Sequence, residues 1–491
     1  MAAVWRRLRG VRHQTRNTTA GLQFHAVSQQ VAFAVLGVVR AALVVRALGP
    51  GRYGLVVTAL AVAGIFSQLL HLGLGTGSAK LVARAADRSD ASRMVASFLA
   101  IRAVALVPIV GALVLIGGPV AGAVYGSPNM DAYVGLAALT VVTSAPTDIL
   151  LSSLTGLDRF HPYFRLKLGY EIAQTVFVPV GTILFGIVGY FVAQAATNLV
   201  LSVGGFVEVR RSLGCPIAKP RWSDFRTVVR PVLRTSGAIY VARLLRTLAS
   251  LLPLLITGAV LGTTAGGQLG LGMKAASYVD AMAAGVVVVA LPRMTRLRSE
   301  LGASAVVERF AGNFRRISRG MALIVTPLIV LLPIALPLVA GPGFRTAGLV
   351  GVVAVCASAL LTLGSAVGSG IFLPLDWEWR WVRAQLVAVV AAVAGSIVLL
   401  HLTGSPIGAA AAALLAYAVL AGAVARSLAT IGQARFFLEG CARVVMWGFV
   451  GIGVLLVLPG LPGLGVVAVI TIAHGVFVVR EDHALLRAFS A

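Results

Sequence analysis

Apolar runs of about 20 residues recur from one end of this chain to the other, and each is long enough to cross a bilayer core. Hydrophobic residues make up 58% of the 491 and charged residues 12%, half the ~25% usual in soluble domains. Such a chain cannot supply a water-facing surface. The pattern predicts an all-α polytopic membrane protein with about fourteen transmembrane helices. The expected spans are 24–47, 54–79, 94–117, 132–155, 163–185, 187–207, 231–257, 267–291, 319–340, 347–372, 381–401, 407–425, 441–458 and 461–479. Residues 1–21 are basic and polar, without an apolar core and a small-residue cleavage site, so the first span is expected to direct insertion itself.

Basic residues give the orientation. With the N-terminus in the cytoplasm, the inner segments hold 32 of the 41 lysines and arginines, and the outer segments hold only Arg46, Arg52 and Arg345. This is the positive-inside bias. It predicts a cell (plasma or inner) membrane protein with both termini cytoplasmic. It also accounts for the net charge of +25 without nucleic acid, and makes anionic inner-leaflet lipid the expected neighbour. Cys215, Cys356 and Cys441 are far apart and form neither a metal-like cluster nor a disulfide framework, so no metal is expected.

The charged, proline-bearing segment 208–230 reads as a cytoplasmic linker. It divides a basic N-terminus (1–21) and a first group of six spans (22–207) from a second six (231–425), followed by two more helices and a tail (426–491). Two such bundles are expected to face one another across a central cavity, as in transporters built from repeats.

Charge inside a span is costly and points to a bundle interior or a wet cavity. The candidates are Arg40, Arg102, Arg234, Arg243, Arg246 and Lys274, against Asp148, Glu171 and Asp280. Arg243 lies about 18 Å into its span at ~1.5 Å per residue, and Arg246 shares its face. These two and Arg40 are expected to line the cavity, with Lys274 beside them. Arg102 and Arg234 are shallower and read as interfacial or structural, with Arg46 as an anchor at the outer headgroups. The excess of buried positive charge suggests an anionic substrate, phosphate or diphosphate, because arginine binds phosphate through paired hydrogen bonds. Asp148 and Asp280 are the carboxylates available for coupling to a cation. No Walker loop, HExxH or GxSxG occurs. The GLGTG at 73–77 reads as a packing or bending element, and neither enzyme chemistry nor a cofactor is expected.

The segments RALGPGRYG (46–54), LGLGTGSAKLVAR (72–84), MKAASYVDAM (273–282) and LPRMTRLRSELG (291–302) resemble the polysaccharide transporter family of lipid-linked oligosaccharide flippases. That family shares a superfamily with multidrug and toxin extrusion antiporters and lipid II flippases. The resemblance implies two six-helix lobes in a V, with two C-terminal helices beside them. It implies a monomer that moves a polyprenyl-(di)phosphate-linked glycan to the outer leaflet, alongside glycosyltransferases and a polymerase of the same pathway. It places the family's cavity charge at Arg40 and at Arg243 or Arg246. A cation-coupled antiporter, a lipid II flippase and a membrane glycan polymerase are the competing readings.

Overall fold

A computed structural model describes the backbone of residues 2–83, 85, 87–127, 129–218, 222–458, 460 and 462–474. Side chains of 2–31, 76, 77, 80, 222–236, 281–293, 295, 296 and 299 fall outside the described set. Among the described residues every regular element is helical. In a bilayer each backbone polar group must be satisfied internally, which an apolar run achieves by coiling.

In chain order the helices are α1 (Ala2–His71), α2 (Leu74–Val82), α3 (Arg88–Ala112), α4 (Gly118–Tyr125), α5 (Met130–Ser144), α6 (Thr147–Gly156) and α7 (Phe160–Leu213). They continue with α8 (Trp222–Leu261), α9 (Thr263–Ala340), α10 (Arg345–Val367), α11 (Glu378–Thr403), α12 (Pro406–Ala429) and α13 (Arg435–Val457). A short apolar helix, α14 (Pro462–His474), follows. Ten helical stretches among the described residues are long and apolar enough to cross a membrane. Three of the longest elements contain a glycine outside helical geometry: Gly49 in α1, Gly186 in α7 and Gly302 in α9. All three have positive φ, which costs glycine nothing. The first two fall at the predicted breaks between spans.

Helix ends differ from the predicted spans where polar residues continue a helix past the apolar run. Segment 208–230, expected as a linker, is helical to Leu213 and again from Trp222. The expected second span is not continuous. It breaks at Leu72 and Gly73, both at positive φ, and GLGTG forms the bend and the start of α2. Pro146 separates α5 from α6 in the same way, since proline cannot donate within a helix.

Two of the six hydrophobic clusters among the described residues are the largest. One gathers Val45, Val56, Met130, Val134 and Phe191 from α1, α5 and α7, and Leu271, Phe344 and Ala347 from the second half join it. The other surrounds Phe310, Phe314, Phe372 and Phe437. Val107, Leu115, Phe185 and Leu402 stay exposed, on faces suited to lipid.

Candidate functional site

The stretch VVRALGPGRYG (44–54) explains how the halves meet. Gly49 turns the chain, and Gly54 then lies against the start of α9. A Cβ on Gly54 would collide with the Thr263 carbonyl, and one on Gly267 would come 2.5 Å from the Pro50 carbonyl. Tyr53 packs edge-on against Phe344 at 6.2 Å between centroids. Arg46 Nη2 donates to the Leu338 carbonyl at 2.8 Å, so it ties this end of the molecule together. Further along, the halves touch where Tyr240 OH donates to the Leu69 carbonyl at 3.2 Å.

Arg40 lies about 14 Å along α1 from Gly49 at ~1.5 Å per residue. Its guanidinium donates to Gln174 and pairs with Glu171 at 3.3 Å. Gln174 is itself oriented, donating to Tyr170 OH at 2.6 Å, which donates to Asn198 Oδ1 at 2.7 Å. Across the gap, α9 presents Lys274 and Tyr278. Lys274 is exposed, with Nζ 5.9 Å from the Tyr278 ring centroid, and feels the charges of both Arg40 and Glu171. Tyr278 OH is buried without a hydrogen-bond partner and sits over Gly37, where any Cβ would crowd it.

A second set of charges lies on α1, α3, α6, α8 and α9. Arg102, 2% exposed, donates through Nη2 to both Asp148 oxygens at 2.9 Å. His71 Nδ1 reaches the same carboxylate at 2.8 Å. The α1–α2 break and Pro146 place these groups together, and Gly75 lets α2 start against Asp148. In the second half, Arg246 pairs with Asp280, which accepts from Thr362 Oγ1 at 3.0 Å. Arg243, one turn earlier on α8, is exposed and close enough to Arg102 to feel its charge.

The predicted residues therefore separate into two kinds. Arg40 and Arg246 are neutralised by carboxylates, whereas Arg243 and Lys274 have no ion-pair partner among the described residues. Asp148 and Asp280 are both held by arginine. Arg102 does not snorkel to an interface: it is buried because Asp148 compensates its charge. The side chain of Arg234 lies outside the described residues. Sequence reasoning named Glu171 as an intramembrane charge without its partner and passed over His71 and Thr362 as site members, because nothing local marks their partners 131, 77 and 82 residues away. Tyr278 was within reach, inside MKAASYVDAM. Among the described residues no group of three His, Cys, Asp or Glu could hold a metal.

This architecture recurs in solved transporters. The lipid II flippase MurJ in an inward closed conformation matches with a TM-score of 0.63 at 12% identity, over 94% of this chain and 99% of that one. An inward-facing multidrug resistance transporter of the MATE family, in the MOP superfamily, matches at 0.57 and 16%, over 86% and 98%. The Vibrio cholerae MATE transporter VcmN matches at 0.58 and 15%, over 84% and 97%. No curated protein matches by sequence. The fold is thus one shared with these solved transporters. Residues 22–298 match the family described as polysaccharide biosynthesis protein, and the chain belongs to that family.

Proposed function

We propose that the protein is a flippase carrying a polyprenyl-(di)phosphate-linked oligosaccharide from the inner to the outer leaflet for assembly of a surface polysaccharide or related glycan. Fourteen crossings follow if α1, α7 and α9 each count twice at their glycine turns and α14 crosses. Both termini then lie in the cytoplasm, and two six-helix lobes, 22–207 and 231–425, act as a monomer. Glycosyltransferases and a polymerase of the same pathway would supply and consume the lipid-linked glycan.

One observation carries this reading. Arg243 and Lys274 are exposed, stand within apolar helical stretches, and have no ion-pair partner among the described residues. An arginine held there keeps its charge, and a phosphate crossing a low-dielectric region needs fixed countercharge. Tyr278 OH, without a partner, is a further donor beside Lys274. Arg40, set by Gln174 and Glu171, adds a hydrogen-bond donor from the facing half. Alternation would open and close the backbone contact of Gly54 with α9.

A cation-coupled exporter would need a free carboxylate, and both Asp148 and Asp280 are held by arginine. The test is transfer of lipid-linked oligosaccharides in reconstituted vesicles, scored by enzymatic access to the far face. Arg243→Gln is expected to abolish most transfer. Full activity in that variant, correctly inserted, overturns the role of Arg243. Transfer of lipid II alone from a substrate panel would make the protein a peptidoglycan flippase.

A further inference from the structure

The second limb of α7 carries a feature outside the proposed transport cavity. Val188, Val192, Val200, Val203 and Val207 follow one another at three- and four-residue spacings or their multiples, which places them on one stripe of the helix. All five are exposed. Arg210 and Arg211 continue the same stripe. The stripe joins two cavities. One, about 620 Å³, is a groove between the two limbs of α7, walled by Phe177, Leu184, Phe185 and Val192, with Thr197 as its one polar side chain. Its floor is bare because Gly181 and Gly189 bring the limbs together backbone to backbone. The other, about 370 Å³, lies at the end of the helix and is lined by Phe206, Val207, Arg210, Arg211, Gly214 and Cys215.

The end pocket is basic. Glu208 is held by Arg165 and lies 3.7 Å from Arg211. Arg210 has no ion-pair partner among the described residues, and the Arg88 guanidinium passes beside Gly214. Positive charge above an apolar wall matches a phosphate carrying a hydrocarbon chain. The length of the track decides which chain. Val200 is ten residues from Arg210, or about 15 Å at ~1.5 Å per residue. That is half of a ~30 Å hydrocarbon core, where the chains of one leaflet end. The groove runs on from Val200 to Val188, about 18 Å further. A chain that fills it from a head group at Arg210 must be longer than one leaflet.

We infer that the outer face of α7 binds a polyprenyl phosphate, with its phosphate on Arg210 and Arg211 and its isoprenoid chain in the groove between the limbs. The site rests on the flippase reading for the identity of the lipid, but it is separate from Arg243 and Lys274. It would hold the carrier lipid by its tail side, beside the transport cavity.

Photo-crosslinking in phosphatidylcholine vesicles tests this. A benzophenone-bearing residue is placed at Val192, or at exposed Val107 of α3 as a control. The probes are a radiolabelled long-chain polyprenyl phosphate, the matching polyprenol and phosphatidylglycerol. The polyprenyl phosphate is expected to label Val192 several-fold above Val107 and above either other lipid. The Arg210→Gln, Arg211→Gln double variant should lower that labelling by about thirtyfold, from the usual strength of two basic residues toward anionic lipid. Equal labelling at both positions, equal labelling by phosphatidylglycerol, or indifference to the arginines overturns the site and leaves only annular lipid. Flipping is measured in the same vesicles. Transport without Val192 labelling removes the groove and leaves the flippase reading intact; selective labelling without transport does the reverse.

Discussion

The two halves of the molecule each pair a carboxylate with an arginine, but they do so differently. Asp148 receives bonds to both its oxygens from an Arg102 guanidinium almost sealed from solvent, with His71 as a second partner, while the carboxylate itself keeps about a third of its surface accessible. Asp280 meets Arg246 and Thr362, and both charged side chains keep about a third of their surface accessible. A sealed arginine cannot lose its carboxylate without being left as a stranded charge, whereas an accessible one can be rehydrated. The first arrangement is therefore a brace for the α1–α2 bend. On the flippase reading the second is a counterion free to exchange partners, and its Arg246 lies one turn from Arg243, which has no ion-pair partner among the described residues.

That contrast can be broken by mutation, ranked here by effect on stability. Asp148→Leu is expected to cost about 3 kcal/mol or more, because it strands the sealed Arg102 guanidinium, and to lower the melting temperature in detergent sharply. Adding Arg102→Met should recover much of the loss, and failure to recover would show that His71 needs the carboxylate for its own placement. Asp280→Asn keeps the shape and the Thr362 bond, so about 1–2 kcal/mol is expected, again by thermal melting, with much of the flipping rate retained. Near-complete loss of transport with normal folding would instead mark Asp280 as a coupling carboxylate. Arg243→Gln should change stability by no more than ~0.5 kcal/mol, as at an unpaired exposed site, while removing most transport. Arg243→Lys then separates charge from bidentate contact by how much activity it keeps.

The smallest effect is expected at Asp87, a carboxylate in water. It caps α3 by accepting from the Asp90 amide at 2.7 Å, and that bond holds its carboxyl below the usual carboxylate range. A lowered pKa stabilises the folded state fully above the ordinary carboxylate pKa, and the contribution fades as pH falls through the lowered value. Hydrogen exchange at residues 88–91 should therefore quicken in acid, and Asp87→Ala should abolish that pH dependence while leaving transport unchanged.

The fold class was legible because hydrophobic length survives any arrangement of the helices. Gly49 and Gly186 were also readable, since each interrupts an apolar run at a point where the chain must reverse. The charges at membrane depth could be found for the same reason: Arg40, Arg243 and Lys274 stand out against apolar flanks. Their pairing could not be read. Glu171 reaches Arg40, and Asp148 reaches Arg102, only after helices far apart in sequence have packed, and no local spacing encodes that. The Leu72–Gly73 bend was suggested by GLGTG, but not that it would bring His71 onto Asp148.

Gly54 has a wider meaning for the two-state behaviour expected of a transporter. Because the Thr263 carbonyl occupies the space a methyl group would need, any side chain at this position is a wedge driven between the halves at one end. It acts only in the state where they touch there and is harmless when they have parted. A penalty of about 5.5 kcal/mol confined to one state is enough to turn a 1:99 population into its inverse. The smallest residue in the chain thus doubles as a handle on the conformational balance, and Gly54→Ala is a route to trapping the opposite half of the cycle.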